Sequence, residues 1–177
     1  AGLARDKSTA ELVNVVPSNK PSDAYKAVAE QAKEFLPTYM HRWMNRAVCK
    51  RTVMTIPYNA TKDSSRKYIR EALLEEGIDP TKDELTQVVN AVYNSMDAIV
   101  PGPMQVMRWI KKHVGQYIRN GATEVEWVTP SGFVVNQRRD DIETEQMELQ
   151  LLGRTQVRLP TGKTTPSPTK HKSSTAP

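Results

Sequence analysis

The stretch Arg46-Ala47-Val48-Cys49-Lys50-Arg51-Thr52-Val53-Met54-Thr55-Ile56-Pro57-Tyr58-Asn59 decides how the rest of the chain is read. Taken as a helix, it puts Arg46 and Lys50 four residues apart on one face. Two like charges at that spacing repel by roughly a few tenths of a kcal/mol. A bound anion would offset the repulsion. A triphosphate suits the pair, because Arg offers a planar fork of donors and Lys a compact point charge. The same spacing also fits a solvated basic face. Tyr58 lies two turns beyond Lys50 on that helix. It reads either as a ring that stacks on a base and offers its hydroxyl to a ribose, or as a core residue closing an apolar run. The β-branched run from Thr52 to Ile56 leaves helix and strand both open on propensity.

On the N-terminal side, Pro21-Ser22-Asp23 supplies caps for a helix that Pro37 stops. Tyr25, Val28, Ala29, Ala32, Phe35 and Leu36 form its apolar face. A second periodic run holds Met40, Trp43, Met44, Ala47 and Val48 and flows into the stretch above. On the C-terminal side a third helix spans Ser65 to Glu76, closed by Gly77. A fourth runs from Asp83 to Val100, and Pro101-Gly102-Pro103 breaks the pattern. A fifth runs from Met104 to Arg119. It buries Val106, Met107, Ile110, Val114 and Ile118 and leaves Lys111 and Lys112 outside; Asn120-Gly121 ends it.

Beyond residue 121 the texture changes. Val125-Glu126-Trp127-Val128 and Phe133-Val134-Val135 flank Thr129-Pro130-Ser131-Gly132, which reads as a type I turn within a hairpin. Met147, Leu149 and Leu151 alternate with Glu148 and Gln150. After Gly153, Val157 and Leu159 alternate with Gln156 and Arg158, a second hairpin with one apolar and one polar face. From Pro160 the composition is Thr, Ser, Pro and Lys, and the expectation is loop or disorder. The fold class is therefore mainly α with one or two β-hairpins.

The chain has 177 residues, one cysteine and a formal net charge of +5. The basic excess permits a polyanionic partner but is shared by many proteins. Cys49 stands alone, which excludes an internal disulfide framework and a multi-cysteine metal site, and fits a reduced compartment. No apolar run approaches membrane-spanning length, so no membrane is expected among its partners. The N-terminus lacks both a signal core and an initiator Met, which raises the expectation of an internal piece.

Residues 46–59 resemble the fingers helix of single-subunit RNA polymerases of bacteriophage and mitochondrial type, whose motif runs R-x-x-x-K-R-x-V-M-T-x-x-Y-G. The resemblance implies that Arg46 and Lys50 hold the incoming triphosphate and that Tyr58 selects the ribonucleotide and stacks near the template base. It gives Lys50 and Tyr58 catalytic standing, and it sets Arg51 near phosphates or RNA. Asn59 replaces the family's Gly, and Asn tolerates left-handed backbone better than other side chains. Further blocks are similar too. Arg5-Asp6, Val13-Asn14-Val15-Val16-Pro17-Ser18 and Asp23-x-Tyr25-x-x-Val28-Ala29 resemble the family's segment on the C-terminal side of its first catalytic aspartate. Trp127-Val128-Thr129-Pro130-Ser131-Gly132-Phe133 resembles a family hairpin. Leu151-Leu152-Gly153 resembles the tip of the hairpin that enters promoter DNA, with Gln150, Arg154, Gln156 and Arg158 as candidate readers of base edges. His171-Lys172 to Pro177 resembles the segment before an H-S-x-D motif.

The resemblance implies the fingers/palm portion of a right-hand polymerase. Residues 1–37 would connect palm to fingers, 38–121 form helical fingers, 122–159 the hairpins, and 160–177 a loop or tail. The implied partners are template and promoter DNA, ribonucleoside triphosphates, nascent RNA and the remainder of the polymerase chain. The implied cofactor is Mg2+, held by two aspartates outside this sequence; Asp140-Asp141 would point to opposite faces of a strand, and His41, His113 and His171 are scattered. The chain alone is expected to hold no metal and make no phosphodiester bond. Helices that normally pack on the missing strands are expected to expose Tyr25, Val28, Trp43 and Trp109. A phage-encoded enzyme would work in the host cytoplasm. Two other readings stand beside this one: a DNA polymerase of the same superfamily, and a non-catalytic nucleic-acid-binding relic or subunit of a split polymerase.

Overall fold

The computed structural model describes residues 6–149 and 155–174. The chain divides into two compact units, one within Ala1–Arg108 and one within Trp109–Thr175.

The first unit holds α1 (Lys7–Leu12), α2 (Ala24–Lys33), α3 (Arg46–Thr55), α4 (Lys62–Glu75), α5 (Lys82–Ile99) and the start of α6 (Pro101–Arg119). Each start has a local cause. Asp6, Asp23, Asn45, Thr61 and Thr81 accept backbone N–H bonds at the first turns of α1 to α5. Thr81 and Glu84 close a reciprocal capping box. Gly77 ends α4 at φ 76°, with Ile78 N–H on the Leu73 carbonyl at 2.9 Å and Gly77 N–H on that of Leu74 at 3.0 Å. This left-handed C-terminal motif satisfies carbonyls that the helix leaves open. The expected break falls at Val100, between α5 and α6, and Pro101 begins α6 ahead of the expected start at Met104, because proline at a first helical position gives up no needed N–H.

The core joins Val28, Ala29 and Ala32 of α2, Val48, Cys49 and Val53 of α3, Ile69 and Leu73 of α4, and Val88, Val89, Val92 and Met96 of α5. One sequence expectation changes here, and one open reading is decided. The run from Met40 to Val48 is not one helix: Thr38–Trp43 is a 3-10 turn, Met44 and Asn45 are extended, and the Asn45 side chain caps α3. The β-branched run from Thr52 is helical to Thr55, since burial of Thr52 and Val53 outweighs their weak preference. Val28 and Trp43, expected on exposed faces, are buried in this core, whereas Trp109 is 62% exposed.

The second unit contains the rest of α6, β1 (Val125–Val128), β2 (Val134–Gln137), β3 (Asp140–Leu149), β4 (Thr155–Pro166) and α7 (Pro168–Ser174). β1 and β2 pair antiparallel around a turn in which Gly132 has φ 83° and donates to the Thr129 carbonyl at 2.9 Å. β3 and β4 pair from Asp140↔Pro166 to Leu149↔Thr155, with an irregularity between Ile142 and Thr144. Met147 faces Val157 across the ladder, and Gln146 faces Arg158, so the alternation read from the sequence is present.

The segment from Pro160, expected as loop or disorder, is largely ordered: β4 continues to Pro166 and α7 comes next. Main-chain pairing along a ladder does not require apolar side chains. The α7 end is held at β3. Buried His171 accepts the Arg139 N–H at Nε2 (3.1 Å), and Lys170 Nζ reaches the Asp140 carbonyl (2.7 Å) and the Asp141 carboxylate (2.8 Å). On α6, Val106 is exposed rather than buried, and Met104 and Met107 take the inner positions. Lys111, expected outside, is partly buried, which pulls its pKa down.

Candidate functional site

α3 carries the candidate residues, and its neighbours position them. Arg46 sits in the first turn. Its Nε donates to Asp23 Oδ2 at 2.7 Å, and its guanidinium lies over the Tyr25 ring at 5.3 Å from the centroid. The other oxygen of Asp23 accepts the Tyr25 and Lys26 N–H groups at the start of α2, at 3.0 and 3.1 Å. One carboxylate thus caps α2 and steers Arg46. The Arg46 hydrogen bond, helped by the Lys26 N–H, holds the Asp23 carboxyl below its ordinary pKa. That interaction favours the fold above the unfolded carboxyl's pKa and is lost as pH falls through the folded one.

Lys50, one turn on, is exposed and makes no ion pair or hydrogen bond among the described residues. Arg51 turns toward α4 instead. Its Nη1 donates to Glu71 at 2.9 Å, and its guanidinium covers the Tyr68 ring at 4.0 Å. The three cations therefore separate: Arg46 is oriented by an acid, Lys50 is open, and Arg51 is committed to the neighbouring helix.

Tyr58 is not on the α-helix itself. α3 gives way at Ile56 to a 3-10 turn, Ile56–Tyr58, because proline at 57 cannot donate into an α-ladder. The tyrosine is 76% exposed, which removes the reading of it as a core residue. Asn59 comes next at φ 70°, ψ 29°, so the left-handed bend is made here by asparagine. The turn is fastened from behind: Tyr93 of α5 donates to the Ala60 carbonyl at 2.9 Å.

Two grooves meet at Tyr25. One, about 470 Å³, is lined by Asn14, Ser22, Asp23, Tyr25 and Arg46 among others. The other, about 420 Å³ and more apolar, is lined by Tyr25, Val53, Met54, Pro57, Tyr58 and Met96 among others. Lys50 lines neither. Arg46 and Tyr58 thus line two grooves that share Tyr25. The structure adds two residues that sequence reasoning gave no site role: Asp23, read only as a cap, and Tyr25, read as part of an apolar face. Their signal in the sequence is the Asp23-x-Tyr25 block, which resembles the family but does not show that it meets Arg46.

Cys49, beside Lys50 in sequence, is fully buried, and burial pushes its thiol up to about 12. It is a packing residue with no thiolate to offer. A thiol raised on folding favours the fold below its ordinary pKa and loses that contribution as pH climbs toward about 12. In the native protein at mildly alkaline pH, Cys49 should resist a disulfide-exchange reagent and react fully once urea unfolds the chain. Rapid labelling of the native form would contradict the packing of α3.

Of the four hairpin candidates, Gln156 and Arg158 lie on β4, both exposed and two apart on the polar face opposite Glu148 and Gln146. Gln156 accepts a hydrogen bond from the Gln146 amide. Gln150 and Arg154 lie outside the described residues. Among the described residues, no three His, Cys, Asp or Glu side chains are grouped to hold a metal ion. Asp140 pairs with Arg138 and Asp141 with Lys170. The magnesium that the resemblance implies finds no fitting ligand set among these residues. No helix among the described residues is long and apolar enough to cross a membrane.

Comparison with known proteins agrees with the family that the sequence suggests. The chain is 30% identical over 150 residues to the human mitochondrial DNA-directed RNA polymerase, covering 77% of this chain and 12% of that one. The mouse enzyme is 29% identical over the same length, with the same shares. The RNA polymerase of Escherichia phage T7 is 24% identical over 208 residues, covering 86% of this chain and 23% of the phage enzyme. The chain thus spans a small part of the length of these relatives. The pattern of the DNA-dependent RNA polymerase family matches residues 1–177 throughout, and the chain belongs to that family.

Proposed function

We propose that this segment binds the incoming ribonucleoside triphosphate in a polymerase that copies DNA into RNA. Arg46 and Lys50 take the phosphates, and Tyr58 takes the base and ribose. The observation that carries the reading is the division of labour on α3. Asp23 engages only Arg46 Nε, so the two terminal nitrogens remain available as a fork. Lys50, four residues on, has no competing acid among the described residues. Tyr58 stands exposed in the 3-10 turn that follows α3, where it lines an apolar groove. Arg51, tied to Glu71 and Tyr68, supports the α3–α4 packing and is at most a secondary phosphate contact.

Within such an enzyme, residues 38–121 correspond to fingers, 1–37 to the link from the palm, and 122–159 to hairpins that meet DNA. Gln156 and Arg158 then face promoter DNA, with template and nascent RNA as further partners. Mg2+ would be held by aspartates elsewhere in the polymerase and would there supply neutralising charge for the phosphates. As a phage-encoded enzyme it would act in the host cytoplasm.

Titration of the chain with ATP, monitored by NMR shifts, tests the binding claim. Wild-type protein should show saturable shifts. Arg46→Ala and Lys50→Ala should each weaken binding about tenfold, since a hydrogen bond to a charged group contributes roughly 1.5–3 kcal/mol. Equal affinity in all three proteins would sink the reading.

A further inference from the structure

α6 has an unusual outer surface in the second unit. Across Pro101–Arg119 it carries Arg108, Lys111, Lys112 and Arg119 and no acidic residue. Trp109, His113 and Tyr117 recur every four residues, so their rings succeed one another at roughly 6 Å along the axis. Trp109 is 62% exposed, Tyr117 is 56% exposed, and His113 is exposed between them. The Trp109 and His113 rings lie with centroids 4.2 Å apart and planes 34° apart, and His113 Nδ1 donates to the Trp109 carbonyl at 2.8 Å. Two of the three rings are therefore held in place before any ligand arrives. Lys112 and Arg119 flank them with no acidic partner among the described residues. The opposite side of the helix is buried at Gly115 and Ile118.

We infer that this stripe is a binding platform for single-stranded nucleic acid. Aromatic faces stack on unpaired bases without regard to sequence, and flanking cations track the phosphates. A protein partner would be expected to find a more continuous aliphatic surface. Here the exposed positions between the rings are Lys112 and Gln116, and charge complementarity favours a polyanion. A duplex keeps its bases stacked inside and offers the rings nothing to stack on. The inference concerns a surface other than the α3 site and does not depend on nucleotide binding there.

The test is fluorescence anisotropy of labelled oligo(dT), oligo(rU) and a mixed-sequence duplex with the whole chain. Both single strands should bind more tightly than the duplex, and a preference between them identifies the sugar that is favoured. Trp109→Ala and Tyr117→Ala should each weaken single-strand binding about tenfold while leaving the salt dependence in place. Lys112→Ala with Arg119→Ala should flatten the salt dependence instead. Trp109→Phe should retain most of the binding, and unchanged circular dichroism confirms that the variants fold. Lys67→Ala, which removes an exposed cation of α4 outside both surfaces, should leave binding unaltered, and ATP affinity, read separately, decides the fate of the α3 proposal. The inference is overturned if the Trp109 and Tyr117 variants bind as wild type, if duplex binds as well as single strands, or if sedimentation shows the stripe holding two copies of the chain together without binding oligonucleotide.

Discussion

In a polymerase whose matching segment is replaced by this chain, Lys50→Ala should lower RNA synthesis by roughly 10²–10³-fold, the usual cost of removing one charged donor from a developing oxyanion. The expectation rests on the proposed role of α3 and on the state of the residue. Lys50 is exposed and has no partner among the described residues to lose, so its removal should leave thermal stability within about 0.5 kcal/mol of wild type. Activity and stability are therefore separable at this position. Arg51→Ala should behave in the opposite way. It breaks the contact with Glu71 and uncovers Tyr68, so part of its effect should appear in the melt. Its effect on synthesis should be the smaller of the two. The measurement is template-directed incorporation at saturating and limiting triphosphate, with melting curves on the same proteins. Undiminished synthesis in the Lys50→Ala chimera would remove α3 from the triphosphate site.

Leu73→Ala should cost about 2–5 kcal/mol of folding stability, the range for emptying a fully buried leucine position. Leu73 is fully buried, belongs to the core that joins α2 to α5, and sits where the C-terminal motif of α4 closes on its carbonyl. A domain holds only about 5–15 kcal/mol in all, so the substitution should remove a large share of it. Leu74, the next residue, is 45% exposed and is the natural control. Leu74→Ala should stay within roughly 0.5 kcal/mol, since surface changes away from special features are nearly neutral. Urea unfolding of both variants checks the pair. Equal midpoints would mean that α4 does not present Leu73 to the core.

Much of the architecture was legible along the chain because its cues are local. Asp23, Gly77, Asn120-Gly121 and Thr129-Pro130-Ser131-Gly132 mark boundaries by short-range hydrogen bonding and backbone freedom, and the elements fall where these residues put them. The misreadings came where two local tendencies compete. Asn45 ends one periodic run by capping the next helix, and Pro101, expected to lie in the break between two helices, already opens α6 ahead of the expected start at Met104. The segment after Pro160 has no apolar period, yet it is held by ladder bonds and by the buried ring of His171. No pattern in its own residues announces such distant anchors.

The candidate site divides in the same way. The sequence by itself determined the residue types and spacing of Arg46, Lys50 and Tyr58, and with them the family. It also left room for a left-handed bend at Asn59, which the structure has, because tolerance of that backbone depends on one residue's own sterics. Only the tertiary structure decided which of the cations is open. Asp23 lies 23 residues from Arg46 and Glu71 lies 20 from Arg51, so the pairing depends on how α2 and α4 pack on α3. The same packing buries Cys49 and leaves Tyr58 in solvent, although both belong to one short stretch of chain. Helical spacing sets which face a side chain shares, and only the neighbouring helices settle whether that face meets the core, an acid or open solvent.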